Sequence, residues 1–217
     1  VYGAQPELPM VEEHPRQPED PYGITKAACE KLLEIYGEMF ELNYVILRPH
    51  NVYGERQIMD NPYRNVIAIF MNRILQGKPP VVYGDGEQKR AFTYISDCTP
   101  YVAKSAFAEQ AYGEIINIGS EEVVTINRLA ELVLDKMGST LKPVKFPPRP
   151  QEIKYAYCDS AKARRLLDYE TKTPLDEGIE KMAKWAKKLG PHPFSYWNWE
   201  RFEIKKKVPK IWKMKKM

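Results

Sequence analysis

Apolar positions along the chain fall into short runs and helical stripes that alternate. Leu32, Leu33, Tyr36, Met39 and Phe40 recur near helical spacing and predict a helix from about Tyr22 to Phe40. Tyr44 to Leu47 is a short apolar run of the kind found in buried parallel strands. Asn65 to Leu75 predicts a second apolar helix, closed by Gly77, Pro79 and Pro80. Strands are expected at Val81–Tyr83, Ala91–Ile95, Glu114–Ile118 and Lys142–Phe146, with a turn at Gly84-Asp85-Gly86. Ser96 is placed to start a helix running to about Glu109, with Pro100 in its first turn. Thr125 reads as the N-cap of a helix from Ile126 to Met137, and Ser160 as the cap of one through Leu167. Thr173-Pro174-Leu175-Asp176 combines a cap, a first-turn proline and an acid, opening a helix to about Leu189 before Gly190-Pro191. This helix-strand rhythm makes the fold class α/β. No internal repeat is visible.

Composition narrows the class. The chain has 217 residues, 43% of them hydrophobic, enough for one core or one core plus a small lobe. No apolar run reaches the roughly 20 residues of a membrane span, and Val1 to Pro9 have no signal-peptide pattern. The chain opens on Val1 rather than a methionine, which suggests a trimmed or incomplete product. Net charge is +4, and seven lysines between Lys205 and Lys216 exceed it, so the body is near neutral and no nucleic-acid partner is expected. This basic tail reads as a solvated terminus, and the aromatic cluster Phe194, Tyr196, Trp197 and Trp199 before it is expected to pack back on the body. Cys29, Cys98 and Cys158 are scattered, as are His14, His50 and His192. That pattern suggests neither a metal site nor a disulfide framework, and fits a cytoplasmic protein with reduced thiols.

Candidate chemistry sits in Pro21-Tyr22-Gly23-Ile24-Thr25-Lys26. Tyr22 and Lys26 are four apart at a helix start and share a face. A free phenol titrates near 10 and is a poor base at neutral pH; bringing one to about 7 means favouring the phenolate by roughly 4 kcal/mol. An ammonium one turn away and the positive end of the helix both push that way. Alone, Tyr-x-x-x-Lys is a weak signal. It gains weight from its company: Val1-Tyr2-Gly3, then Arg48-Pro49-His50-Asn51-Val52-Tyr53-Gly54, Gly84-Asp85-Gly86-Glu87-Gln88-Lys89-Arg90-Ala91-Phe92 and Arg149-Pro150-Gln151-Glu152. As an ordered set, from Val1 to about Leu189, these resemble the extended short-chain dehydrogenase/reductase family of NAD-dependent epimerases and dehydratases. Within it the likeness is to UDP-glucose 4-epimerases.

The resemblance implies a fold: the C-terminal part of a Rossmann-like parallel sheet plus a small α/β substrate-binding lobe. Residues 1–60 would be the remainder of the NAD-binding domain, and 61–190 mainly the nucleotide-sugar lobe, with some segments returning to the sheet. Residues 191–217 would form the tail. It also implies roles. Tyr22 would move the proton of the sugar 4-hydroxyl, and Lys26 would hold the nicotinamide ribose and tune Tyr22. Pro49 and His50 would lie beside the nicotinamide, although His50 reads equally well as a structural histidine. Asn51 would bond the sugar diphosphate, and Arg90 and Arg149 would clamp it, because guanidinium matches phosphate oxygens in a fork. Asn65, Val66, Val81 and Tyr83 fall where the family holds the nucleotide base; plain core packing accounts for the two valines as readily. Glu152 stands where the family often has aspartate, so its ribose contact is one methylene longer.

The dinucleotide's glycine-rich turn and ribose acid are not supplied by this chain. Gly84-Asp85-Gly86 begins like one, but Lys89 stands where the third glycine belongs and a strand is expected next. In the family these features, and a catalytic serine or threonine, precede the position of Val1. The expected activity is NAD-dependent epimerisation of a UDP-sugar at C4 through a 4-keto intermediate, in a homodimer or with a separate N-terminal partner. A nucleotide-sugar uronate epimerase, decarboxylase or dehydratase, or a non-catalytic nucleotide-sugar-binding fragment or subunit, are the competing readings.

Overall fold

A computed structural model describes residues 1–5, 7–149 and 153–196. In chain order the elements are α1 (Pro21–Phe40), β1 (Ile46–Pro49), β2 (Val52–Tyr53), α2 (Val66–Leu75), β3 (Val81–Tyr83), β4 (Lys89–Ala91), β5 (Thr93–Tyr94), α3 (Thr99–Ser105), β6 (Ile115–Ile118), β7 (Val123–Thr125), α4 (Ile126–Met137), β8 (Val144–Phe146), β9 (Tyr155–Ala156), α5 (Ala161–Leu167) and α6 (Leu175–Leu189). Two compact units share them. The first comprises Val1–Val52, Lys89–Val123 and Ile153–Leu175, and the second Tyr53–Gln88, Val124–Glu152 and Asp176–Met217.

In the first unit β1 and β6 pair in parallel, Ile46 opposite Ile115 through Pro49 opposite Ile118. Ile116 and Ile118 are fully buried and pack with Ala111, Ala163, Leu167 and Tyr169. Parallel pairing of distant segments needs both faces covered, and α5 lies against β6 to supply one cover. β4 and β9 also pair in parallel, Lys89 opposite Tyr155. The strand expected over Tyr44–Leu47 is shifted to Ile46–Pro49; Tyr44 lies before it, its carbonyl accepting from Gly113 N–H and its ring packing where a side chain on Gly37 of α1 would stand.

The expected strand over Ala91–Ile95 divides into β4 and β5, and Ile95–Asp97 forms a 3₁₀ turn. The helix expected from Ser96 is cut to Thr99–Ser105. Asp97 explains the late start: its buried carboxylate accepts from Lys172 N–H, Thr173 N–H and the Thr173 hydroxyl. The same bonds take Thr173 away from its expected capping role, and α6 begins at Leu175 with its first N–H donated to Glu122. Ser160 precedes α5 as expected, yet its hydroxyl donates to Gly119 O instead of capping, while Asp159 accepts from Ala161 N–H.

In the second unit β3 and β8 pair in parallel, Val81 opposite Val144. α2 is buried from Ile67 to Arg73, as befits a helix apolar nearly all round. α4 packs on it with Leu129, Ala130 and Val133 inside; Thr125 caps α4 by accepting from Arg128 N–H at 3.1 Å. α6 presents Ile179, Met182 and Ala186, all buried, at helical spacing. The turn after β3 depends on Gly86. Its φ is +79°, and a Cβ there would lie 2.0 Å from the Asn127 side-chain oxygen. The turn leads into β4 rather than into a helix, and the first turn of α4 closes on it from elsewhere in the chain, Asn127 N–H donating to Gly86 O at 3.0 Å.

Candidate active site

The start of α1 is fixed by its own sequence. Asp20 is the N-cap, its carboxylate accepting from Gly23 N–H at 2.6 Å, and Pro21 occupies the first turn where its missing N–H costs nothing. Gly23 leaves room for Pro18, whose Cβ would stand 2.9 Å from a side chain there. Tyr22 and Lys26 therefore share one face of the first two turns. The Lys26 ammonium lies 5.5 Å from the centre of the Tyr22 ring, and Tyr22 is 55% exposed.

Both residues line a cavity of about 600 Å³ that also takes in Pro49 and His50 at the end of β1, with Leu33, Val45 and Leu47 as apolar wall. Four of the residues assigned from sequence thus meet in one place. Burial and the nearby Arg48 cation push the His50 imidazole down to about 4, so it is neutral at pH 7 and offers hydrogen bonds rather than charge. Tyr2, on the same cavity, is pushed up to about 12, chiefly by burial. That separates the two tyrosines: Tyr2 is held as a neutral phenol, and Tyr22 stands beside the ammonium.

A polar network on the cavity wall, centred on Tyr2, Glu30 and Arg48, was not assigned from sequence. Glu30, two turns beyond Tyr22 on the same face, is 6% exposed and accepts from Arg48 Nε at 2.8 Å and Nη2 at 2.7 Å. Arg16 adds a third contact to Glu30 at 3.0 Å. The Arg48 guanidinium covers the Tyr2 ring at 4.4 Å, and Tyr2 donates to the Asn117 side-chain oxygen at 2.7 Å. Asn117 N–H in turn donates to Glu12 at 2.7 Å. Arg48 Nη1 is buried and has no acceptor among the described residues. Two signals were available. Tyr22, Lys26 and Glu30 repeat at four-residue spacing, and an arginine inside an apolar strand needs a buried counter-charge.

Asn51 and Asn65 are two of the five non-glycine residues with positive φ among those described, at 43° and 64°. Asparagine tolerates that region better than most, and such backbone collects at functional sites. Asn51 donates to Ala91 O at 2.8 Å and accepts from Thr93 N–H. Asn65 ends the loop before α2, and its amide makes no cap bond. Arg90, in the first unit, spends its fork on the carbonyls of Lys89, Ile153 and Lys154. In the second unit Arg149 stacks on Tyr83 at 4.9 Å. Val81 is 4% exposed and packs in the same cluster as Tyr83, and Val66 opens α2 half-buried. Glu152 lies outside the described residues. Among the described residues no three His, Cys, Asp or Glu side chains gather as a metal site, and no helix is long and apolar enough to cross a membrane.

The profile of the GDP-mannose 4,6 dehydratase family matches residues 1–182. The chain belongs to this family of nucleotide-sugar epimerases and dehydratases. Three solved structures are similar over most of it. The UDP-glucose 4-epimerase of Thermotoga maritima, solved with UDP-glucose, is 32% identical with a TM-score of 0.80, over 87% of this chain and 60% of that one. The UDP-N-acetylglucosamine 4-epimerase of Methanobrevibacter ruminantium, in complex with UDP-N-acetylmuramic acid, is 35% identical with a TM-score of 0.81, over 87% and 60%. The UDP-glucuronic acid 4-epimerase of Bacillus cereus, in complex with UDP-glucuronic acid and NAD, is 32% identical with a TM-score of 0.79, over 87% and 59%. The chain therefore spans about three-fifths of the length of these relatives.

Proposed function

We propose that this chain carries the proton-transfer and substrate-binding part of an NAD-dependent nucleotide-sugar 4-epimerase of the UDP-glucose/UDP-galactose type. The observation that carries the reading is the meeting of Tyr22, Lys26, Pro49 and His50 on one cavity, with the Lys26 ammonium close to the Tyr22 ring. Tyr22 removes the proton of the sugar 4-hydroxyl, holds it while C4 is a ketone, and returns it to that oxygen. Lys26 stabilises the phenolate through charge. The family resemblance supports further roles unit by unit: in the first, Asn51 and Arg90 as diphosphate ligands, Arg90 only on release of the carbonyls it holds; in the second, Arg149 as a diphosphate ligand and Asn65, Val66, Val81 and Tyr83 as base contacts, with Glu152 for the ribose.

Pro49 and the uncharged imidazole of His50 suit the nicotinamide end of NAD, which when bound supplies the hydride acceptor and donor. Among the described residues no glycine-rich turn joins a strand to a helix N-terminus, so they fit that end of the cofactor only. The three relatives act on UDP-sugars that differ in the sugar, which supports UDP as the common handle. Association with a second copy or a partner chain is supported by the exposure of Leu32, Tyr36, Met39 and Phe40 on α1.

Calorimetric titration of this chain with UDP and with NAD tests the assignment. UDP is expected to bind and NAD to bind poorly. Tight NAD binding by the chain alone would overturn the division of labour, and no UDP binding would overturn the substrate site.

A further inference from the structure

Beyond α6 the chain turns back at Gly190 and runs across the second unit as far as Tyr196, a stretch outside the family match. It is tied down by specific bonds. The fully buried amide of Asn72, on α2, donates to His192 O at 2.9 Å and accepts from His192 N–H at 2.9 Å. Gln76 donates to the same carbonyl at 2.8 Å. Three residues on, Ser195 donates to Asp60 twice, from its N–H to the Asp60 carbonyl and from its hydroxyl to the carboxylate, each at 2.8 Å. Between and beyond these ties, Phe194 and Tyr196 pack on the cluster of Ile69, Val81 and Tyr83. Their own rings meet edge-on with centroids 6.3 Å apart, and both are half-buried.

We propose that this strap is a fixed wall of the nucleotide-base site, with Phe194 and Tyr196 as affinity-determining residues that extend the surface of Tyr83. The inference rests on the reading of Tyr83 as the base contact. Three features support it. The strap is anchored at both ends, so it acts as a wall rather than as a lid. Its two rings are half-buried beside Tyr83, so part of each is still open to a ligand. The Arg149 guanidinium lies 4.9 Å from the Tyr83 ring centre, which sets the proposed phosphate ligand beside the proposed base contact within the second unit. Aromatic stacking is indifferent to base identity, so the strap supplies affinity more than choice among bases.

The test is calorimetric titration of the full chain and of Phe194→Leu, Tyr196→Leu and the double variant with UDP and with inorganic pyrophosphate. Leucine keeps apolar packing volume and removes the ring, and thermal melting checks that each variant folds. Loss of a stacking ring is expected to weaken UDP by roughly fivefold to a hundredfold, with pyrophosphate binding unchanged. Folded variants that bind UDP like the parent would overturn the proposal, as would tighter UDP binding, which would mark the strap as an obstruction. A parent chain that binds no UDP would instead remove the base site itself, and the strap's role with it.

Discussion

Removing the Glu30 side chain tests how α1 is held. Glu30→Ala leaves the Arg48 guanidinium, 6% exposed, with its two charge-assisted bonds of 2.8 and 2.7 Å broken. Its Nη1 has no acceptor among the described residues to begin with. Breaking a buried pair from one side costs about 3–5 kcal/mol, because the remaining charge stays desolvated. Arg16 adds little, being 26% exposed and still paired with Glu34. In a chain of this length each kcal/mol moves Tm by about 2–4 °C, so a fall on the order of 6–20 °C is expected. Replacing both partners, Glu30→Met with Arg48→Met, removes the stranded charge and should cost less than Glu30→Ala alone. Urea unfolding, read by circular dichroism at constant m, gives the free energies. A Glu30→Ala cost below about 1 kcal/mol, or strict additivity of the two Met changes, would refute the reasoning.

Three further outcomes follow from the same structure. His50 is neutral in the fold and titrates there at about 4 against an ordinary 6.5. Above 6.5 it is neutral in both states; as pH falls from 6.5 to 4 the unfolded chain takes a proton that the folded one refuses, removing about 3 kcal/mol of stability. His50→Phe should flatten that part of the stability-pH curve, and an unchanged slope would count against it. Gly86→Ala should cost about 2–3 kcal/mol in urea unfolding, since it combines a positive φ with displacement of Asn127, while Gly77→Ala, at φ +70° in open space, should cost about 1. Met39→Lys with Phe40→Glu, at positions 67% and 63% exposed, should reduce self-association of the chain in analytical ultracentrifugation without lowering Tm; equal association would show that α1 is not the contact.

Local chemistry made much of the fold legible. α4 runs from Ile126 to Met137 with Thr125 as its cap, and α1 and β3 fall where periodicity puts them, because each carries its own stop and start signals. The errors lie where a distant partner outbids a local preference. Asp97 is drawn to residues 172 and 173 and shortens the helix expected from Ser96. Ser160 is drawn to Gly119. The Tyr22 and Lys26 pairing was legible as a helical spacing, but Tyr2 meets Asn117 across 115 positions, and no local pattern encodes that. Arg48 could have been suspected from its apolar surroundings, though its partner Glu30 could be named only once α1 and β1 were side by side.

Tyr22 is proposed to move the proton of a sugar 4-hydroxyl, and the rest of the functional reading depends on that role. It is tested most directly by Tyr22→Phe in the chain joined to the part of a relative's length that it does not span. The variant and its parent are incubated with NAD and UDP-glucose, and products are resolved by NMR. UDP-galactose is expected from the parent, with a loss of at least about a hundredfold in the variant and UDP affinity retained in both. A variant that epimerises as fast as its parent would contradict that role.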